Sequence, residues 1–367
     1  MSLTRPVPLS VLDLVPVGTG VSAGEAVRGS LELARRAEAL GFTRYWLAEH
    51  HGMPGIASSA TTILMGQVAA ATSTIRVGSG GVMLPNHAPL TIAEQFGTLG
   101  AFFPDRIDLG IGRAPGTDQS TARALRRGPG PLSADDFPDQ LAELTTFLSG
   151  GSFPAGHPLH GVEAYPRADA PPIWLLGSSG YSAQVAGFLG LPFAFAHHFS
   201  SASTLPALRL YRDSFRPSPG RERPYAMVAA GVLCAEDDER ARWLAGPTRL
   251  TMLRLRLGRP GAYPTPEEAA AYPWTPRERE VAESATSSHI VGGPETVREG
   301  LNALLEATEA DELMIVTNVH SNADRIRSYE LVARLALAEP AGGRDGEAGG
   351  RDGERVTGFR AAGASGR

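Results

Sequence analysis

The sequence predicts an α/β fold, a (β/α)8 TIM barrel with an insertion between strand 7 and strand 8. Short apolar runs of strand length alternate with stretches of helical spacing from the first residues onward. The alternation recurs eight times, and the strand runs are largely apolar on both faces. Such strands are buried on both sides, as in a parallel sheet covered by helices, and eight of these units close on themselves. An open doubly wound sheet is the other architecture with this alternation.

Residues 8–17 (PLSVLDLVPV) read as the first strand, and residues 24–40 follow with apolar residues at helical spacing, capped by Gly41. Strand two is 43–51 (TRYWLAEHH), followed by a helix over 58–72, and strand three is 75–85 (IRVGSGGVMLP). After a helix over 89–103, residues 106–113 (RIDLGIGR) form strand four, and a Pro/Gly-rich connection leads to a helix over 134–150. Strands five, six and seven are 171–177, 191–199 and 224–234, separated by helices over 179–190 and 204–215. A late helix over 295–307, an eighth strand over 311–319 and a closing helix from Arg325 complete the repeat.

Two segments fall outside it. Residues 258–290 are Pro-rich and aromatic, and lie between strand seven and the last helices. They either cover the barrel mouth or form a surface loop. Residues 1–336 make one barrel domain, whereas 337–367 are Gly, Arg, Asp and Glu with almost nothing apolar, a composition that predicts disorder.

Composition narrows the function classes. The chain of 367 residues is 42% hydrophobic and 20% charged, ample for one large core, and its net charge of -5 argues against nucleic-acid or anionic-membrane partners. No run approaches the ~20 apolar residues of a membrane span. The single cysteine, Cys234, sits in an apolar run as a structural thiol, and one cysteine agrees with a cytoplasmic setting.

In such a barrel, chemistry belongs at the C-terminal ends of the strands. Glu49-His50-His51 closes strand two, and alternation turns one histidine to the mouth and the other outward, which argues against a shared metal. A strand-end histidine is a good general base, or simply a rim hydrogen bonder. Ser79, Gly80 and Gly81 interrupt strand three, marking either a packing bulge or close approach of a flat ring to bare backbone. The loop Gly177-Ser178-Ser179-Gly180-Tyr181-Ser182 joins strand five to a helix. Hydroxyls and free first-turn N–H groups make it a phosphate site, with serine capping as the plain alternative. Arg113, ending strand four, is either a fixed cation for a phosphate or for negative charge on a ring, or a barrel-rim salt bridge. Residues 108–118 miss the dinucleotide fingerprint, because the third glycine comes late and Pro115 blocks the helix start. His157 with His160, and His197 with His198, lack partners at metal-ligand spacing, so no metal is expected.

Taken in order, LAEHH, RVGSGGVMLPNHAPLTIAEQF, FPDRIDLGIGRAPG, PPIWLLGSSGYSAQVA and DELMIVTNVHSNADRIRSYELVA resemble the bacterial luciferase-like flavin monooxygenases, up to about residue 336. The nearest group in style is the single-component luciferase-like oxidoreductases of bacteria and some antibiotic pathways. The resemblance implies that His50, beside Glu49, is the reactive-site histidine. It implies a cis peptide beneath the flavin ring within Ser79-Gly80-Gly81, and a flavin phosphate held by Ser178, Ser179 and Ser182 with Arg113 nearby. Two positions depart from the luciferase subunit: its cysteine after strand four is Gly112 here, and its histidine after the strand-three proline is shifted to His87. The groups that shape light emission therefore differ. By implication, FMN arrives reduced from a separate flavin reductase, reacts with O2 to a flavin peroxide, and oxidises a small-molecule substrate; relatives are often homodimers. Some relatives use F420 for hydride transfer instead, and a non-catalytic flavin-binding barrel is a further alternative.

Overall fold

The computed structural model describes residues 3–125 and 136–336; the tail assigned to 337–367 lies outside the described residues. Eight strands run parallel: β1 (Leu9–Asp13), β2 (Arg44–Leu47), β3 (Arg76–Ser79), β4 (Ile107–Gly112), β5 (Ile173–Gly177), β6 (Phe193–Phe195), β7 (Ala226–Cys234) and β8 (Glu312–Val316). Each pairs with the next in chain order, and β8 returns to β1 with Leu313 opposite Leu9. The barrel is closed. A two-residue strand, Val82–Met83, adds to β4 beyond the end of β3. Helices follow at the expected places, among them Ala23–Ala39, where Gly41 takes the left-handed conformation at φ 81 just past the end.

Alternate strand residues point inward and fill the interior. Leu12, Trp46, Trp174, Ala194, Met227 and Met314 belong to one apolar cluster, with the two indoles edge to face at 5.2 Å. Glycine makes room for them: a Cβ on Gly78 would lie 2.4 Å from Trp46 Nε1, and one on Gly110 only 2.1 Å from the Ser79 carbonyl oxygen. Charged groups from the N-terminal ends of the strands close that end. Asp108, fully buried, receives Arg44 and Arg76 at 2.7 Å each and Trp46 Nε1 at 3.1 Å, while Glu312 receives Arg44 at 3.1 Å and the Tyr225 hydroxyl at 2.9 Å. With these charges paired and hydrogen-bonded, that end is sealed, and only the opposite end is left for a ligand. Cys234 is buried at the end of β7, and burial pushes its thiol up to about 12.

The insertion is larger than its sequence suggests. A helix over Asp238–Arg256 follows β7, then come helices Pro266–Ala271 and Pro276–Thr286 and a short strand, Ile290–Gly292, paired with β7. No element was expected at 238–256, because arginines and the internal Pro247 mask a buried stripe of Ala241, Leu244, Leu250 and Leu253. The two following helices do carry a legible start: Thr265 and Thr275 each cap with a glutamate three residues on and a proline between.

Candidate active site

A cavity of about 1210 Å³ opens at the C-terminal ends of the strands. The turn after β2 brings His50 to its wall, and the imidazole has its Nδ1 buried with no partner among the described residues. Burial lowers the pKa of His50, with Glu49 pulling the other way. Glu49 itself is buried and stands behind the wall. Its carboxylate accepts from His87 Nε2 at 2.8 Å, His51 Nε2 at 2.9 Å, the Met83 amide at 3.0 Å and Asn86 Nδ2 at 3.2 Å. Burial raises its pKa, but His87, His51 and the Met83 amide outweigh it and the net shift is downward. β2 ends at Leu47, so Glu49-His50-His51 lie past the strand rather than closing it, yet the outcome matches the expectation: His50 faces the cavity, and His51 turns away to Glu49.

At the end of β3 the Gly80–Gly81 peptide bond is cis. Of the three residues named there, Gly80 alone lines the cavity. Ser79 is fully buried, its hydroxyl donating to the Gly110 carbonyl at 2.8 Å and accepting the Gly110 amide at 3.0 Å, so it clips β3 to β4. Gly81 packs on β4, where a Cβ would stand 2.8 Å from the Gly110 carbonyl oxygen.

Across the mouth, Gly177, Ser178, Ser179 and Ser182 line the cavity at the start of the helix Gly180–Leu189. Ser179 is the N-cap residue, yet its side chain makes no capping hydrogen bond. The plain capping explanation for this serine therefore does not apply. Gly180 and Tyr181 sit off the wall, and the Tyr181 ring supports the Arg113 guanidinium, whose carbon lies 4.1 Å from the ring centroid. Arg113 lines the cavity, and among the described residues no carboxylate stands within ion-pair distance of it. Four strand ends thus bring His50, Gly80, Arg113 and the serine loop to one cavity.

Residues 7–312 match the model of the luciferase-like monooxygenase family. The chain belongs to that family. A luciferase-like monooxygenase of Escherichia coli (strain K12) is 47% identical over 328 residues, covering 89% of this chain and 96% of that one. The N-acetyl-S-alkylcysteine monooxygenase of Bacillus subtilis (strain 168) is 33% identical over 332 residues, 90% of this chain and 98% of that protein. The crystal structure of apo-MsnO8, 38% identical, superposes with a TM-score of 0.82 over 90% of this chain and 98% of its own. Like its relatives, this luciferase-like monooxygenase is an oxidoreductase.

Within the family frame, the two departures noted in the sequence acquire a geometry. Gly112 leaves space that Met83 fills, since a Cβ there would meet the Met83 sulfur at 2.6 Å, and His87 is the strongest donor to Glu49 by distance. The family enzyme also has a wall that the strand-end residues did not reveal. The helix Asp238–Arg256 contributes Arg249 and Met252, and the loop beyond it contributes Tyr263. The Tyr263 hydroxyl donates to the Asn318 carbonyl just past β8 at 2.6 Å, fastening the insertion to the barrel rim. Residues 258–290 are thus part of the cavity wall rather than a surface loop apart from it, through Pro260, Gly261, Tyr263, Glu283, Thr286 and His289. His198 and His289 line the cavity as well. Residues 197–200 form a single helical turn rather than the end of strand six, because Phe199 and Ser200 donate back to the Ala196 carbonyl. That turn aims His198 inward, which periodicity in the sequence had no means of signalling. Among the described residues, no cluster of three or more His, Cys, Asp or Glu is placed to hold a metal, and no helix is long and apolar enough to cross a membrane.

Proposed function

We propose that the protein is a monooxygenase that takes reduced FMN from a separate flavin reductase and oxidises a small organic molecule with O2. The observation behind this reading is the convergence on one cavity of an arginine with no carboxylate partner among the described residues, a helix-start serine that makes no capping bond, bare glycine backbone and a neutral histidine.

The residues present suit that cofactor. Arg113 lies over the Tyr181 ring, and among the described residues no carboxylate pairs with its guanidinium, which suits a phosphate. Ser179 leaves both its hydroxyl and the first-turn amides of Gly180–Leu189 open to the same anion, with the helix dipole in favour. At Gly80 there is no Cβ to hold a planar ring away from the backbone, and one placed there would already meet Leu12 Cδ1 at 2.5 Å. Bound reduced FMN would supply the activation of oxygen. His50 would hold or release a proton at Nε2, its only nitrogen open to the cavity, while the insertion excludes bulk water. Glu49 acts through its neighbours, fixing His51, His87 and the Met83 backbone, and so shapes the wall that presents His50.

The test is a titration of the purified protein with FMN and, separately, with F420, read by cofactor fluorescence, followed by oxygen uptake of the reduced complex. FMN binding that falls at least tenfold in Arg113→Ala, with oxygen uptake by the reduced complex, is the expected result. Binding of F420 and not FMN would replace the oxygenase by a hydride-transfer reading of the same site.

A further inference from the structure

Three imidazoles line the cavity, those of His50, His198 and His289, and the surroundings of His198 and His50 fix which nitrogen of each carries the proton. His198 Nδ1 lies 3.2 Å from the Ala229 carbonyl oxygen. A carbonyl only accepts, so Nδ1 bears the hydrogen and Nε2 of the neutral ring is a bare acceptor. His50 is the reverse case. Its Nδ1 is buried with no partner among the described residues. An orphaned N–H in such a place costs more than an orphaned lone pair, so the hydrogen sits on Nε2. Neither Nε2 is hydrogen-bonded or occluded among the described residues, so each is open to the cavity.

Both rings are neutral near pH 7. Burial lowers the pKa of His50, and burial holds His198 down at about 4; His50 is near enough that a charge on it would oppose one on His198. The position of His198 is built in from the far side of the barrel. His289, at the end of the insertion, donates Nε2–H to the His198 carbonyl at 3.0 Å, and Thr204 holds the neighbouring His197 ring at 2.8 Å. A half-buried histidine with its tautomer set and its backbone clamped is positioned for a ligand.

We propose that His50 and His198 form a neutral donor–acceptor subsite that takes an uncharged substrate group having both an acceptor and a hydrogen, such as an amide or a hydroxyl. His50 Nε2–H donates to the group's oxygen, and His198 Nε2 accepts its hydrogen. Each bond alone is modest, but the two together reject a ketone or ester of equal size, which leaves the His198 acceptor unmatched. The proposal rests on the cavity being the active site, and deepens that reading by naming a substrate class.

The experiment uses the full-length, flavin-free protein labelled with 15N-histidine. Long-range 1H–15N imidazole spectra at pH 7, assigned with His50→Gln and His198→Gln, report the tautomers directly. The expected result is His198 protonated on Nδ1 and His50 on Nε2, with both Nε2 signals moving on titration with butanamide and only that of His50 moving with butanone. His198→Phe should weaken butanamide about fivefold while leaving butanone unchanged, and His198→Gln, which keeps an acceptor oxygen, should restore the discrimination. His50 protonated on Nδ1, either ring charged at pH 7, or equal losses for amide and ketone would overturn the subsite. Should His198→Phe fail to fold, the wild-type tautomers and the glutamine variant still decide. FMN titration of the wild type is independent of these spectra, so a failed subsite and a failed flavin reading give separate signals.

Discussion

Replacing Glu49 by Gln separates two roles that the tripeptide Glu49-His50-His51 leaves entangled. Oε1 of Glu49 accepts from His51, His87 and Asn86, and Oε2 accepts the Met83 amide. A glutamine oxygen can keep the first set, but its NH2 then faces the Met83 N–H, donor against donor. Losing charge-assisted bonds at a buried carboxylate and stranding one backbone donor costs about 3–5 kcal/mol together. In a chain of this length that lowers the melting temperature by roughly 4–7 °C. The pH dependence gives a sharper check. Burial raises the Glu49 pKa, but His87, His51 and the Met83 amide hold it below its ordinary 4.5, so its contribution is complete above about that pH and is lost as pH falls through the lower folded value. The gap in stability between wild type and Glu49→Gln, measured by calorimetry, should therefore close as the solution is taken below about pH 4.5. His50→Gln, which removes no hydrogen bond within the protein, should leave the melting temperature within a degree or two. An unchanged melting temperature in Glu49→Gln, or a gap that widens in acid, would refute the assignment of Glu49 to the wall behind the cavity.

Other outcomes follow from distances and charges already given. Gly110→Ala would place a methyl 2.1 Å from a backbone oxygen that cannot swing away, and should cost about 3 kcal/mol or more in denaturant unfolding. Between pH 6.5 and about 4 the unfolded chain takes a proton at His198 that the folded protein refuses, so stability falls as pH falls through that window. From pH 6.5 to 5 the loss is about 2 kcal/mol, and His198→Phe should flatten that slope in unfolding curves taken at each pH. Arg113→Ala should weaken FMN by about ten- to a hundredfold, and Ser179→Asp should do the same by repulsion, both read by flavin fluorescence. Undiminished binding in either variant would remove that group from the phosphate site.

The strands were legible because a strand buried on both faces leaves its mark in composition: FAF, IWLLG and AMVAAGVLC have no solvent side to encode. The helix over Asp238–Arg256 was not, because a helix lying over a cavity mouth buries only a narrow stripe and exposes arginines around it. Site residues followed the same division. His50, Gly80, Arg113 and the serines stood out as polar or bare positions ending apolar strands. Ser79 looked like one of them and is instead a clip between strands, because a buried hydroxyl beside a neighbouring strand finds that strand's backbone before it finds a ligand.

By itself, then, the chain's order of apolar and polar residues determined a parallel sheet of eight strand–helix units and the strand ends at which chemistry could occur, since local periodicity is set by which faces are dry; the pairing of β8 with β1 closed it. Only the folded molecule decided which of those ends share a cavity, that Glu49 faces away from it, and that His198 and the insertion complete it. Those facts depend on contacts between segments far apart in the chain, Glu49 with His87 and His198 with His289, and nothing in the local sequence records them.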